Sequence, residues 1–405
     1  MKKLWLCLPI VLILALCLTV LGEDADGSKA EAFKLKYEER VFNCLKTLAR
    51  FACDELSVSQ ATSAFQQNTP AWNYIQHYDR GWFSKVVSRS FSDFRTENWK
   101  YISDTEFEVD VYGDYNIGFN TNNVKETFHL AYHFCMRQTV KDNDFWQIYD
   151  FYTMPSTLDV ERAQKFTEEN AGITVEPVTG ISYTGFMTII DDPSRIYVET
   201  ITRFGSNEAG KRINAYCDYF GAVGGFNGGG FADTGGGGSG GNPYGLVISN
   251  GVVKRGHTPN SDISNVIMGF DNDNVLHVGA FSYSEYEALN LRDAMAFHPV
   301  LVQNSENAYT KKESLLYTVR TAIGQDADGR VLVLVTKGRQ PDSFGASLDD
   351  LVEVMLEYGA VCAGNLDGGS STCMYLNGES VYSGYRIDCS RRIPCAFLIK
   401  PIAED

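Results

Sequence analysis

Asn365-Leu366-Asp367-Gly368-Gly369-Ser370-Ser371-Thr372 follows an apolar run and precedes Met374 to Tyr382, an alternating stretch that turns at Asn377-Gly378. A strand that ends in Asn, Asp and hydroxyl residues presents those groups together at one sheet end. Asn-Gly between alternating runs signals a two-residue hairpin. A second stretch has the same design: Gly224-Gly225-Phe226-Asn227-Gly228-Gly229-Gly230-Phe231 leads, through further glycines, to Leu246–Val253, which turns at Asn250-Gly251. Such loops let consecutive backbone N–H groups surround an anion. Neither fits G-x-x-x-x-G-K-[ST], or G-x-G-x-x-G opening a helix, which removes nucleotide-binding readings. Ser370 fails as a hydrolase nucleophile, because Thr372 stands where the G-x-S-x-G elbow needs glycine. Gly235 to Gly241 reads as a loose surface tip.

Working outward, Leu315–Ile323 and Val331–Thr336 flank Asp328-Gly329 as a hairpin. One clear helix follows: Ser347 and Asp350 form a capping box, Leu348, Leu351, Val352 and Met355 line one face, and Gly359 ends it. Strands are expected around 186–190, 195–202, 275–281 and 299–302. Nearer the N-terminus, Phe33, Tyr37, Val41, Leu45, Leu48 and Ala52 recur every three or four positions, the mark of an amphipathic helix, and a short helix is expected around Trp72–Phe83. Alternation then takes over in Phe107, Val109 and Val111 and again in Phe128, Leu130, Tyr132, Phe134 and Met136. The segment Phe145 to Asp150 resembles the last strand of cone-shaped NTF2-like domains. His129 and His133 share one face of a strand, but no nearby carboxylate in the sequence completes a metal set, so they are expected on a polar surface.

The fold class expected is α+β. A mixed β-sheet domain with few helices spans 172–405, preceded by a smaller α+β accessory domain at 23–158 and a charged linker at 159–171. With 405 residues, 44% apolar, each part can bury a core of its own. The net charge of −16 repels phosphate backbones and argues against nucleic-acid binding, so an anionic substrate needs local positive charge. Lys2 and Lys3 precede Leu4–Leu21, a run without charge that is long enough to span a bilayer, with Glu23 and Asp24 beyond it. This predicts a signal anchor, or else a signal peptide cleaved near Val20 and Gly22, and in either case an extracytoplasmic chain. Eight of the 10 cysteines follow that run; spacing alone does not fix their pairing, and Cys389 with Cys395 is the expected pair. No C-x-x-C pair occurs, so structural zinc is not expected.

Arg320-Thr321-Ala322-Ile323-Gly324, Gly338-Arg339-Gln340-Pro341, the Asn365–Thr372 stretch and Asn377-Gly378, in that order, resemble the phosphodiester glycosidase domain family. Asn227-Gly228-Gly229, Pro243 with Gly245, Asp192-Pro193-Ser194-Arg195 and Pro299-Val300-Leu301-Val302 are also similar to it. The resemblance covers roughly 172–401. It implies hydrolysis of a glycosyl 1-phosphodiester to free sugar and a phosphate monoester, on envelope or extracellular glycans. No metal constellation emerges along the sequence, so catalysis is expected without a cofactor or required ion, a Ca²⁺ held by loop carbonyls being the alternative. The substrate's phosphate already leaves easily, so the site must hold phosphate, stabilise positive charge at the anomeric carbon and orient water.

Arg320 and Arg339 are the candidate phosphate ligands, since a guanidinium grips two oxygens at once. The N–H groups of Gly368 and Gly369 could add fixed dipoles. Asp367 is the candidate catalytic carboxylate, and Asn227 and Asn365 could bind sugar hydroxyls. Gly228, Gly229 and Ser370 complete the expected substrate-binding set. This chain departs from the family at Lys337, where an Asp often stands, and Lys337 itself reads as solvated. A non-catalytic glycan-binding module of the same fold, or a phosphodiesterase cutting the P–O bond, are the competing readings.

Overall fold

Helix α1 runs from Glu23 to Ala52 and buries Tyr37, Val41, Leu45, Leu48 and Ala52, the spacing seen in the sequence. The computed structural model describes residues 23–53, 55–77, 86–119, 125–139, 144–233, 238–256, 265–310, 316–383 and 391–402. The Leu4–Leu21 run and Cys389 lie outside these. Among the described residues no helix is long and apolar enough to cross a membrane.

A four-stranded antiparallel sheet packs on α1, its strands consecutive in the chain: β1 (Val86–Ser103), β2 (Glu106–Phe119), β3 (Lys125–Gln138) and β4 (Trp146–Thr153). Side chains alternate between its faces. Phe107, Val109 and Val111 of β2 and Leu130, Tyr132, Phe134 and Met136 of β3 join the α1 core. Asp110 and Asp114 turn the other way, opposite His133 and His129. The histidines do sit on the polar face, but carboxylates accompany them: His129 Nδ1 lies 2.8 Å from Asp114 Oδ1, and His133 Nδ1 lies 2.6 Å from Asp110 Oδ1. Their partners come from the neighbouring strand in register, which a search along the local sequence misses.

Most of residues 159–171, expected as a linker, form the helix Thr157–Glu169. Ser156 and Asp159 cap it reciprocally, and Ala163 and Phe166 enter the core of the C-terminal half. Apart from the buried Asp159, the charges that suggested a linker are this helix's exposed face.

Three antiparallel sheets build the C-terminal half. The largest has seven strands, ordered Glu306–Asn307, Val300–Gln303, Ala360–Leu366, Arg320–Asp326, Val331–Thr336, Thr184–Ile190 and Ile173–Thr179. A five-stranded sheet places Gly224–Asn227 at its centre, between Cys373–Leu376 and Cys395–Ile399. The remaining sheet contains Val247–Ser249 and Asp293–Ala296. One core joins all three through Phe226, Met268, Met295, Ile323, Val333, Met374 and Phe397. On the far side of the seven-stranded sheet, Leu351, Val352 and Met355 of the helix Leu348–Glu357 cover Ala322, Leu332 and Leu334. The whole is α+β, strand-rich with few helices. All three expected hairpins form, with Gly251, Gly329 and Gly378 at φ of 73°, 84° and 86°.

The two halves interlock at the loop after Val331–Thr336. Phe344 is buried in the α1 core with its ring 5.6 Å from that of Phe151, and the Tyr132 hydroxyl donates to the Pro341 carbonyl at 2.7 Å. Lys337, expected in solvent, is only 9% exposed: its Nζ lies 2.6 Å from Asp159 Oδ1 and 3.5 Å from Asp342 Oδ2. Burial opposes its charge, but Asp342 and Asp159 together hold it above the ordinary lysine value. Burial pushes the Asp342 carboxyl up, whereas Lys337 outweighs burial at Asp159 and draws that group down. The two carboxyls therefore share one cation.

Two further expectations are corrected. Cys395 is a buried, unbridged thiol, which excludes the Cys389–Cys395 pair, and Cys373 is disulfide-bonded instead. Gly240 and Gly241 belong to no loose tip: side chains there would collide with the main chain at Arg392 and Glu208. Residues 234–237 lie outside the described set.

Candidate active site

The strand Gly224–Asn227 was legible only as loop. Its glycines serve close packing, since a side chain at Gly225 would strike Leu398 and Phe397 of the next strand at 2.7 Å. The strand delivers Asn227, fully buried, to the seven-stranded sheet. Asn227 Nδ2 donates to the Asp367 carbonyl at 2.6 Å, and Oδ1 accepts from the Cys373 N–H at 3.1 Å. The Thr321 hydroxyl lies 2.9 Å from Asn227 Oδ1 and 3.0 Å from Thr372 Oγ1. Asp367 N–H in turn donates to the Gly228 carbonyl at 3.1 Å. The two glycine-rich stretches, 140 residues apart, are thus stitched to one another. Asn227 spends its side chain on that joint and acts as a brace for Asp367.

The glycines do not form the expected anion cradle. Gly368 N–H donates to Asp367 Oδ1 at 3.0 Å and Gly369 N–H to the Val319 carbonyl at 2.9 Å. Side chains at Gly228 and Gly229 would collide with the Met295 sulfur and the Ala296 carbonyl, so these positions serve close packing. Arg320 is also spent elsewhere. Its neighbour Thr321 faces Asn227, so alternation sends Arg320 to the other face, where Nε and Nη2 donate to the Ala346 and Leu316 carbonyls at 3.3 and 3.1 Å.

Arg339 does reach the site. A methyl group on Gly369 would sit 3.3 Å from its Nη1, which puts the guanidinium directly over the Gly368–Ser371 turn. Arg339 holds a left-handed backbone, φ 57°, which costs a non-glycine residue about 1 kcal/mol. Its N–H bond to the Phe344 carbonyl, 3.1 Å, helps hold that conformation.

Asp367 sits partly exposed at the end of the strand Ala360–Leu366. Burial lifts its carboxyl to about 6; the Ser371 hydroxyl, the Gly368 N–H and the Arg391 charge pull it back, and Asp233 pushes it up. Arg391 is the residue that sequence reasoning missed. Its Nη2 lies 2.7 Å from Asp233 Oδ2, and the guanidinium stands over the Phe231 ring, 4.9 Å from its centre. The segment after Asn227 thereby returns to the site through Phe231 and Asp233. Ser371, not Ser370, bonds the Asp367 carboxyl; Ser370 lies partly exposed in the same turn. Asn365 is 3% exposed and donates from Nδ2 to the His298 carbonyl at 2.8 Å, and its Oδ1 has no hydrogen-bond partner among the described residues.

The result is one carboxyl poised to gain or lose a proton near neutrality, with a guanidinium on the adjoining turn and another within electrostatic reach. A carboxyl at about 6 is well matched to proton transfer at ordinary pH. Guanidinium groups match the oxygens of a phosphate.

A scan against family models matches residues 220–400 to the phosphodiester glycosidase family. No curated protein matches the chain. Among solved structures, the zebrafish N-acetylglucosamine-1-phosphodiester alpha-N-acetylglucosaminidase catalytic domain, auto-inhibited by its pro-peptide, aligns with 20% identity and a TM-score of 0.46, covering 57% of this chain and 82% of that one. A hypothetical protein from Synechocystis aligns with 14% identity and a TM-score of 0.39, over 77% of this chain and 80% of that one. A putative exported protein from Burkholderia pseudomallei aligns with 13% identity and a TM-score of 0.38, over 80% of this chain and 99% of that one. The matched span contains both glycine-rich stretches, Arg339, Asp367 and Arg391, so residues 220–400 carry a match to the phosphodiester glycosidase domain.

Proposed function

We propose that this chain hydrolyses a glycosyl 1-phosphodiester. Water adds its oxygen to the anomeric carbon, the bond from that carbon to the phosphate oxygen breaks, and free sugar and a phosphate monoester leave. Asp367 takes the proton from the attacking water, a role suited to a carboxylate that is ionised above about pH 6. A phosphate monoester leaves without needing full protonation, so the second carboxylate of ordinary glycosidases is dispensable. Arg339 and Arg391 hold the phosphate, and Asn365 Oδ1 accepts from a sugar hydroxyl. The observation that carries this reading is the Asp367 carboxyl, lifted by burial and accompanied by two guanidinium groups. The reaction is placed outside the cytoplasm, on the strength of Lys2, Lys3 and the uncharged run behind them.

Turnover of a sugar 1-phosphodiester in ¹⁸O water tests the proposal. The phosphate monoester is the product to read, because the anomeric oxygen of a free sugar exchanges with solvent. Unlabelled phosphate is expected. Label in the phosphate would mean P–O cleavage, and binding without turnover would mean a glycan-binding module.

A further inference from the structure

β3 carries His133 and Cys135 two residues apart, so both project from the polar face of the four-stranded sheet, away from α1. In register, Glu108 on β2 stands opposite Cys135 from one side and Asp150 on β4 from the other. One ligand atom each from Glu108, His133 and Cys135 lies within 4.8 Å of the others, all three residues being half-buried. Glu108 Oε2 is 3.9 Å from His133 Nε2. Around a tetrahedral ion with ligands at about 2.0–2.3 Å, neighbouring ligand atoms stand roughly 3.3–3.8 Å apart, so a small inward movement would close the set.

The second nitrogen of His133 strengthens the assignment. Nδ1 is held by Asp110 Oδ1 at 2.6 Å, which turns Nε2 towards Glu108 and Cys135. Metal-binding histidines are oriented in this way by a carboxylate on the ring's other nitrogen. Tyr152 stacks on the ring at 4.4 Å and fixes its plane. Glu108 also pairs with Lys100 at 2.9 Å, but the Lys100 side chain is 65% exposed and can swing into water.

We propose that Glu108, His133 and Cys135 form a divalent transition-metal site, with Zn²⁺ the matching ion, Asp150 placed to serve as a fourth ligand and Asp110 as the residue that orients His133. A mixed nitrogen, sulfur and oxygen set suits an ion of borderline softness, and excludes Ca²⁺ and Mg²⁺. On binding, the Cys135 thiol releases its proton to solvent and the thiolate bonds the metal; nothing is oxidised or reduced. The ion would clamp β2 to β3, and through Asp150 to β4, in the half of the chain that precedes the glycosidase family match. It takes no part in the hydrolysis proposed above.

Purified full-length protein, stripped with a chelator, is titrated with Co²⁺ and then Zn²⁺. A thiolate-to-cobalt absorption band saturating at one ion per chain is expected, and Zn²⁺ should bleach it. C135S should abolish the band and weaken Zn²⁺ binding at least ~10-fold, whereas D110N should keep the band and weaken binding about 10-fold. C362S, which alters another half-buried thiol, should change neither. Thermal unfolding supplies a readout that does not depend on the cysteine: Zn²⁺ should raise the wild-type midpoint and leave that of E108Q unmoved. Absence of a stoichiometric band, a band that survives C135S, or equal Zn²⁺ stabilisation of E108Q would each overturn the site.

Discussion

Replacing Asp367 with Asn separates the role of the residue in chemistry from its cost to the fold. In the folded protein the carboxyl titrates at about 6, against an ordinary value of 3.8, a rise of roughly two units. At about 1.36 kcal/mol per unit the ionised group opposes folding by up to about 3 kcal/mol, and partial exposure at the strand end brings this nearer 1–2. The sign follows from proton binding. Between pH 3.8 and 6 the folded chain holds a proton that the unfolded chain has released, so stability falls as pH rises through that window. Below it the penalty is absent, and above it the penalty is complete. Asn keeps the acceptor for the Gly368 N–H without the charge, so D367N should be more stable than wild type by about 1–2 kcal/mol at pH 8 and no more stable at pH 3.5. Urea unfolding at the two pH values measures this. At pH 8, where the wild-type carboxyl is ionised, turnover of a sugar 1-phosphodiester should fall at least ~10²-fold. Equal stability of the two proteins at pH 8 would refute the desolvated carboxyl, and turnover within a factor of three of wild type would remove Asp367 from the reaction.

Four other substitutions test its surroundings and the joint between the two halves. Arg391 lowers the Asp367 carboxyl's affinity for protons, so R391A should move the acid limb of the pH–rate profile upward; a limb that stays in place would detach the two residues. N227A leaves the Thr321 hydroxyl and the Cys373 N–H without their shared acceptor in a fully buried place, and should cost about 2–4 kcal/mol of stability in urea unfolding together with most of the activity. T321V, which removes only one partner, should cost less. K337M strands Asp159 and Asp342 without their cation and should cost about 3–5 kcal/mol at pH 8, but less at pH 5, where the carboxyls take up protons; a pH-independent loss would point to packing instead.

Where strand residues alternate, the sequence was easy to read. α1, β2 and β3 follow from the spacing of their apolar residues, and the three hairpins from Asn-Gly and Asp-Gly. β1 did not, because burial in its eighteen residues is confined to Thr96 and no period shows. Gly224–Asn227 was hidden for the opposite reason: it is central, but its packing is by backbone, and glycine carries no hydrophobic signal. At the site, Asp367 and Arg339 were legible because they lie in motifs. Arg391 was not, since it comes from a separate segment and meets Asp233 only in the folded chain. Arg320 looked like a ligand because a strand-end arginine can face either side, and only the neighbouring Thr321 contact shows which. Lys337 was read as solvated because its two carboxylates come from the helix Thr157–Glu169 and from the following loop, and neither lies beside it in a motif.

Phe344 and Pro341 lie in the loop that carries Arg339, yet one is buried among residues of α1 and its sheet and the other accepts a hydrogen bond from β3. A fragment starting at Thr157 would keep the three C-terminal sheets, yet it would bare an aromatic ring and loosen the loop of the arginine that overlies the Gly368–Ser371 turn. The N-terminal half is thus a splint for the loop that carries Arg339, and anyone expressing the C-terminal half in isolation should expect that loop to slacken.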